Sequence, residues 1–264
     1  MDVVLSVQTR ATAVHRAHQE QYVLIVDAPH RSHLRGWHLY ANVNGWSDSS
    51  MSPSTDPHRG QPVLRHGLEP GAARLCVILV HGRGSSAADL IGLATEFGTD
   101  DVAYLAPEAS GQTWYPKSFL APLSENEPGI SSGLGVIEGL IATLGQLHVG
   151  PERIGVLGFS QGACLTLEFA ARHARRYAAI AGLSGGLIGP RGMPRTYAGS
   201  MADTPVLIGC SDIDPHIPLE RVHESAEVFR RLGASVDERI YPRMGHTVNA
   251  DEIAAVHALL TKKE

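Results

Sequence analysis

The chain has 264 residues, 43% hydrophobic and 19% charged, enough apolar side chain to bury a core against the entropy of ordering the backbone. A net charge of −5 with no basic stripe excludes a polyanion partner such as a nucleic acid. Cys76, Cys164 and Cys210 suit neither a disulfide framework nor a zinc site and read as small core residues of a reducing, cytoplasmic protein.

The first quarter is the least patterned. It holds half of the 14 histidines, among them His15, His18, His30, His33, His38, His58 and His66, whose irregular spacing defines no metal geometry. Its first 25 residues contain no apolar run long enough for a secretory signal or a membrane span. Residues 22–26 and 37–43 could form strands, but a lone hairpin is marginal in water. Residues 1–58 are expected to be a loosely ordered extension, with Met51 an alternative start, and residues 59–264 one domain.

From residue 75 onward short apolar runs alternate with helical periods, which predicts βαβ units on a mostly parallel sheet. The first strand, 75–80, leads into His81-Gly82-Arg83-Gly84, where glycines permit close backbone approach to a bound group. A helix at 87–97 and a strand at 102–105 follow. The next loop carries Trp114-Tyr115-Pro116 and Phe119, aromatics that either wall an acyl or alcohol pocket or pack the loop. A helix is expected at 131–147 and a strand at 154–157.

That strand runs straight into Gly158-Phe159-Ser160-Gln161-Gly162 and a helix at 161–173. Strand, G-x-S-x-G and helix together predict a nucleophile elbow that holds the Ser160 hydroxyl clear of the backbone. A plain Gly-rich connection is the bland alternative. A serine hydroxyl is a poor nucleophile at neutral pH, so a base and an orienting acid must follow downstream, each on a loop after a strand.

Beyond a strand at 178–181, residues 182–204 are rich in Gly and Pro without a long amphipathic pattern, so no large helical lid is expected. After a strand at 205–208 come Asp212 and Asp214; Asp214, locked in non-helical backbone by Pro215, is chosen as the acid, and Asp212 stays open as the alternative. Ile217 in this loop either walls a pocket or packs the core. A helix at 218–231, with Pro218 in its first turn, leads to a charged, edge-like strand at 236–240 and then to His246, the base by chain order; His216 is the competitor. The last helix is expected at 251–260. The oxyanion donors would be the backbone N–H groups of Gln161 and Arg83, with the Arg83 side chain solvated or attracting an acidic substrate group.

With Leu-Val-His-Gly-Arg-Gly at the first core strand, Gly-Phe-Ser-Gln-Gly at the elbow, Asp214-Pro215 and Gly245-His246, residues 60–262 resemble the phospholipase/carboxylesterase family that includes acyl-protein thioesterases. The resemblance implies an α/β-hydrolase fold without a large cap and supports Asp214 over Asp212. It implies a hydrolase of carboxylic esters or thioesters; a small-molecule ester or thioester is the expected partner, with no cofactor or metal, and the chain is expected to be a monomer or homodimer. The Trp114 segment and Arg83 look more like its bacterial esterase branch than its protein-deacylating members. A thioesterase and a non-catalytic binding protein of the same fold remain the alternatives.

Overall fold

In the computed structural model, residues 56–262 are described. They form a seven-stranded sheet of β1 (Val63–Gly67), β2 (Leu75–Val80), β3 (Val102–Pro107), β4 (Ile154–Phe159), β5 (Ala179–Leu183), β6 (Pro205–Ser211) and β7 (Ser235–Tyr241). The order across the sheet is β1-β3-β2-β4-β5-β6-β7. All neighbours are parallel except β1, which runs antiparallel to β3 with Val63 opposite Pro107. Strands β2, β3 and β4 are buried at every position, because helices cover both faces and leave no side for polar residues.

On one face lie α1 (Ala87–Thr95) and α6 (Ala250–Thr261), packing Leu90, Ile91, Phe97, Val256 and Leu260 against the sheet. On the other lie α3 (Gly129–Gln146), α4 (Gln161–Arg172) and α5 (Leu219–Arg231), with a short helical turn, α2 (Leu123–Asn126), leading into them. Both α1 and α6 begin in capping boxes, Ser86 with Asp89 and Asn249 with Glu252, which satisfy amides that the first turn leaves orphaned. This is the α/β-hydrolase fold. Among the described residues no helix interrupts 184–204, and no helix is long and apolar enough to cross a membrane.

The expected strands and helices are present, most with ends shifted by a residue or two, and β7 lies at a sheet edge with a half-exposed pattern. Pro218 stands one residue outside α5, at its N-cap, instead of inside the first turn. Strand β1 was not expected. Its sequence, Val-Leu-Arg-His-Gly, carries charge because an edge strand is held by backbone pairing and needs little burial.

The possible strands at 22–26 and 37–43 lie outside the described residues. Of the expected extension, Asp56 and His58 are tied to the domain. His58 is buried, its N–H donates to Ser132 Oγ (3.1 Å), and Ser132 in turn donates to Asp56 Oδ1 (2.5 Å).

Candidate active site

At the C-terminal end of β4 the chain reverses sharply into α4. Ser160 sits at this corner with φ 55° and ψ −119°, a conformation that costs a non-glycine residue roughly 1–3 kcal/mol and persists only where the surroundings over-determine it. The surroundings are the two flanking glycines. A Cβ on Gly162 would lie 2.0 Å from the Val80 carbonyl oxygen, and one on Gly158 would lie 2.3 Å from the Gly162 carbonyl oxygen. The Ser160 N–H donates to the Leu183 carbonyl (2.9 Å), which pins the corner to β5.

Residues far apart in sequence converge on that corner. The Ser160 hydroxyl donates to His246 Nε2 at 2.8 Å, and His246 Nδ1–H donates to Asp214 Oδ2 at 2.7 Å. Because the carboxylate only accepts, the imidazole carries its proton on Nδ1 and leaves Nε2 free to take the serine proton. Phe159 lies tilted against the His246 ring at 5.2 Å, and His216 meets the same ring edge-on at 4.9 Å.

The Asp214 side chain is fully buried. Burial alone would push its carboxyl upward, but the hydrogen bond and charge of His246, with the N–H groups of His216 (2.8 Å) and Ile217 (3.1 Å) on Oδ1, hold it below the usual carboxylate range. Asp212 points elsewhere: it is exposed, and its Oδ1 accepts the Arg243 N–H at 2.7 Å as a turn carboxylate. His216 gives its backbone N–H to the Asp214 carboxylate, and it is His246 that stands between Asp214 and Ser160.

A cleft of about 270 Å³ opens beside Ser160, lined by residues that include Arg83, Tyr115, Lys117, Phe119, Cys164 and Ile217. Gln161, the first residue of α4, and Arg83, on the loop after β2, both border it. Tyr115, Phe119 and Ile217 line the cleft and also pack into the core. Trp114 does not line the cleft: it is 0% exposed, and its indole N–H donates to the His81 carbonyl (2.9 Å) beneath the loop. A buried indole requires such an acceptor, and the backbone supplied it inside the core rather than at the pocket.

The Arg83 side chain is half-buried, and its hydrogen bonds among the described residues go to backbone carbonyls instead of a carboxylate. Its guanidinium donates to the carbonyls of Tyr115 (2.8 Å), Pro116 (3.1 Å) and Lys117 (2.7 Å), a fork that holds the cleft wall. The Gln161 amide does the same from the other side, accepting the Trp114 N–H (2.9 Å) and donating to the Tyr115 carbonyl (2.8 Å). Nothing in the sequence announces these wall contacts of the two side chains. Cys164, at the back of the cleft, is no competing nucleophile, since burial pushes its thiol up to about 12. Among the described residues no group of three or more His, Cys, Asp or Glu side chains could hold a metal ion.

A model of the family described as phospholipase/carboxylesterase matches residues 69–263. The crystal structure of a phospholipase/carboxylesterase from Dyadobacter fermentans is 38% identical, with a TM-score of 0.74 over 76% of this chain and 97% of that one. The crystal structure of an esterase, PE8, is 28% identical, with a TM-score of 0.63 over 76% of this chain and 96% of that one. Among curated relatives, acyl-protein thioesterase 1 of Gibberella zeae is 32% identical over 146 residues, 53% of this chain and 60% of that protein, so the match spans less than two thirds of that relative's length.

Proposed function

The chain belongs to the phospholipase/carboxylesterase family, and from that premise we propose that it is a serine esterase hydrolysing small or medium carboxylic esters through an acyl-enzyme. The observation that carries this reading is the continuous Asp214–His246–Ser160 relay, with contacts of 2.7 and 2.8 Å, on the floor of a cleft.

Ser160 Oγ attacks the ester carbonyl carbon while His246 Nε2 takes its proton. The carbonyl oxygen becomes an oxyanion, which accepts hydrogen bonds from the backbone N–H groups of Arg83 and Gln161. The tetrahedral intermediate collapses, the carbon–oxygen bond to the alcohol breaks, and His246 returns its proton to the leaving alkoxide. Water then repeats the sequence: His246 deprotonates it, the acyl carbon is attacked, and the acid leaves as Ser160 regains its proton. Asp214 stays ionised and holds the imidazolium. Every group the reaction needs belongs to this chain, so no cofactor or metal is part of the proposal.

Cleft size supports a short or medium ester. A volume of about 270 Å³ beside Ser160 leaves room for a compact acyl or alcohol group. A thioester substrate is the second reading, favoured by the name of the Gibberella zeae relative; rates on matched oxoesters and thioesters separate the two. The three cysteines are free and buried, which supports a reducing, cytoplasmic setting. A monomer or homodimer is part of the same proposal, and sedimentation equilibrium decides it.

The direct test is hydrolysis of p-nitrophenyl esters from acetate to decanoate by the wild type and by Ser160→Ala, with fluorophosphonate labelling of both. Loss of about 10⁴-fold or more in kcat, with labelling abolished, is expected. Turnover intact in Ser160→Ala, or a wild-type serine that stays unlabelled, would reject the esterase in favour of a non-catalytic protein of this fold.

A further inference from the structure

His81 takes no part in the relay, yet it is wholly buried directly after β2 and makes hydrogen bonds through both ring nitrogens. The Ala109 N–H donates to Nε2 at 3.0 Å. A backbone N–H can only donate, so Nε2 carries no proton and Nδ1 does. Nδ1–H then donates to the Gly82 carbonyl at 2.8 Å. Glu108 Oε1 lies 3.5 Å from Nε2, a contact and not an ion pair, because that nitrogen already accepts the amide. Burial also lowers the affinity of the ring for a second proton, against smaller opposing effects of the Gly82 carbonyl, Glu108 and Asp89. Trp114 completes the setting, with its ring 5.2 Å away and its indole N–H on the His81 carbonyl. Both ring nitrogens are thus tied to the backbone.

The consequence falls on the next peptide. In a trans amide the carbonyl and the N–H point in opposite directions. The Gly82–Arg83 peptide is trans, so a Gly82 carbonyl turned toward His81 sends the Arg83 N–H the other way. The same loop abuts the nucleophile, since a Cβ on Gly82 would stand 3.3 Å from Ser160 Cβ. Glycine tolerates a wide range of backbone angles, so Gly82 itself does little to fix this peptide; besides His81, the Ser85 N–H also reaches its carbonyl, at a longer 3.3 Å. A flipped peptide would aim a carbonyl, and not a donor, at the developing oxyanion.

We propose that His81 is a positioning residue of the oxyanion hole, whose Nδ1–H locks the Gly82–Arg83 peptide so that the Arg83 N–H faces the carbonyl oxygen of an ester bound at Ser160. The inference rests on the esterase reading above. It assigns His81 an effect on the transition state rather than on substrate binding, because the hole gains its full strength only once charge develops on that oxygen.

Three variants test it. His81→Leu fills the space without a donor, His81→Asn offers an amide N–H near the position of Nδ1, and His81→Gln offers its amide near Nε2, toward Ala109. Each is measured for kcat and KM on p-nitrophenyl butyrate, for Ki of an aryl trifluoromethyl ketone whose tetrahedral adduct occupies the hole, and for Tm. Removing one oxyanion donor costs about 10²–10³ in kcat. The Leu and Gln variants should therefore lose about 100-fold in kcat with KM within threefold, their Ki should rise in parallel, and Asn should recover at least tenfold.

Asn and Gln falling equally, with lowered Tm and an unchanged ratio of Ki to KM, would overturn the proposal and leave His81 a packing residue. Failure of both amide variants to fold would overturn it for the same reason; if only Leu fails to fold, the Asn and Gln comparison decides. A wild type that neither hydrolyses the ester nor labels at Ser160 sinks the esterase reading, and this inference with it. An active wild type with Ki unmoved across the variants sinks the His81 inference alone.

Discussion

Replacing Asp214 by asparagine changes one atom, and the structure says which way the new amide must face. Oδ1 accepts two backbone N–H groups, from His216 at 2.8 Å and Ile217 at 3.1 Å. An NH₂ group there would oppose both donors, so the amide oxygen stays and the NH₂ turns toward His246. Nδ1 of His246 must then accept, which moves its proton to Nε2, and Nε2–H facing Ser160 cannot serve as a base. Where a triad loses its acid in this way kcat falls about 10⁴-fold, or about 5.4 kcal/mol at 1.36 kcal/mol per tenfold. Loss of the charge-assisted bond to His246 should remove about 1–3 kcal/mol of stability, leaving the protein folded. The assay is steady-state hydrolysis of p-nitrophenyl butyrate with a denaturation curve beside it. Asp212→Asn is the control: its carbonyl can keep the Arg243 N–H, and activity should stay within about threefold, the size expected of an exposed turn. If Asp214→Asn kept a tenth of the activity, or Asp212→Asn collapsed it, the tautomer reasoning would fail.

Glu252 is fully buried with Oε1 unpartnered among the described residues, and burial pushes its carboxyl up to about 7 despite the Asn249 N–H on Oε2. A folded-state pKa above the unfolded value of 4.5 means the folded protein binds this proton more tightly, so stability falls as pH rises from about 4.5 through about 7. Glu252→Gln should therefore gain about 2–3 kcal/mol more at pH 8 than at pH 5 relative to wild type, read from urea unfolding at both; equal effects at the two values would refute it. In α3, Gly135 is exposed with open space where a Cβ would go, and Gly135→Ala should stabilise by about 0.5–1 kcal/mol. Two residues earlier, a Cβ on Gly133 would stand 2.8 Å from Leu165 Cδ2, so Gly133→Ala should cost about 1–3 kcal/mol. Melting curves that moved the same way for both variants would show that α3 and α4 are not in close contact there.

Much of the fold was legible because its signals are local. A strand covered on both faces must be apolar throughout, and β2 and β4 read that way in the bare sequence. The elbow was legible for a related reason: a corner that leaves 2.0 Å between a would-be Cβ and the Val80 carbonyl oxygen admits only glycine, and glycine around a serine between strand and helix is visible in one line of residues. Chain order then pointed to His246 as the base, while Asp214 was preferred to Asp212 for its Pro215 and for the family resemblance.

What stayed hidden depends on partners distant in sequence. β1 is held by backbone hydrogen bonds to β3, which impose no side-chain pattern, so Arg65 and His66 disguised it. Trp114 and Tyr115 are adjacent and both aromatic, yet one is sealed under the loop and the other lines the cleft, because successive side chains there face opposite ways. His81, Arg83 and Gln161 each hydrogen-bond a loop 28 to 47 residues away in the chain, and no local rule announces such a bond. Composition, periodicity and glycine placement were enough to specify the layers and the sharp corner at Ser160, since each answers to sterics and burial within a few residues. Only the packed chain decided which side chains touch the cleft and which ones hold it, since hydrogen bonds to backbone carbonyls and amides form wherever folding happens to bring the two ends together.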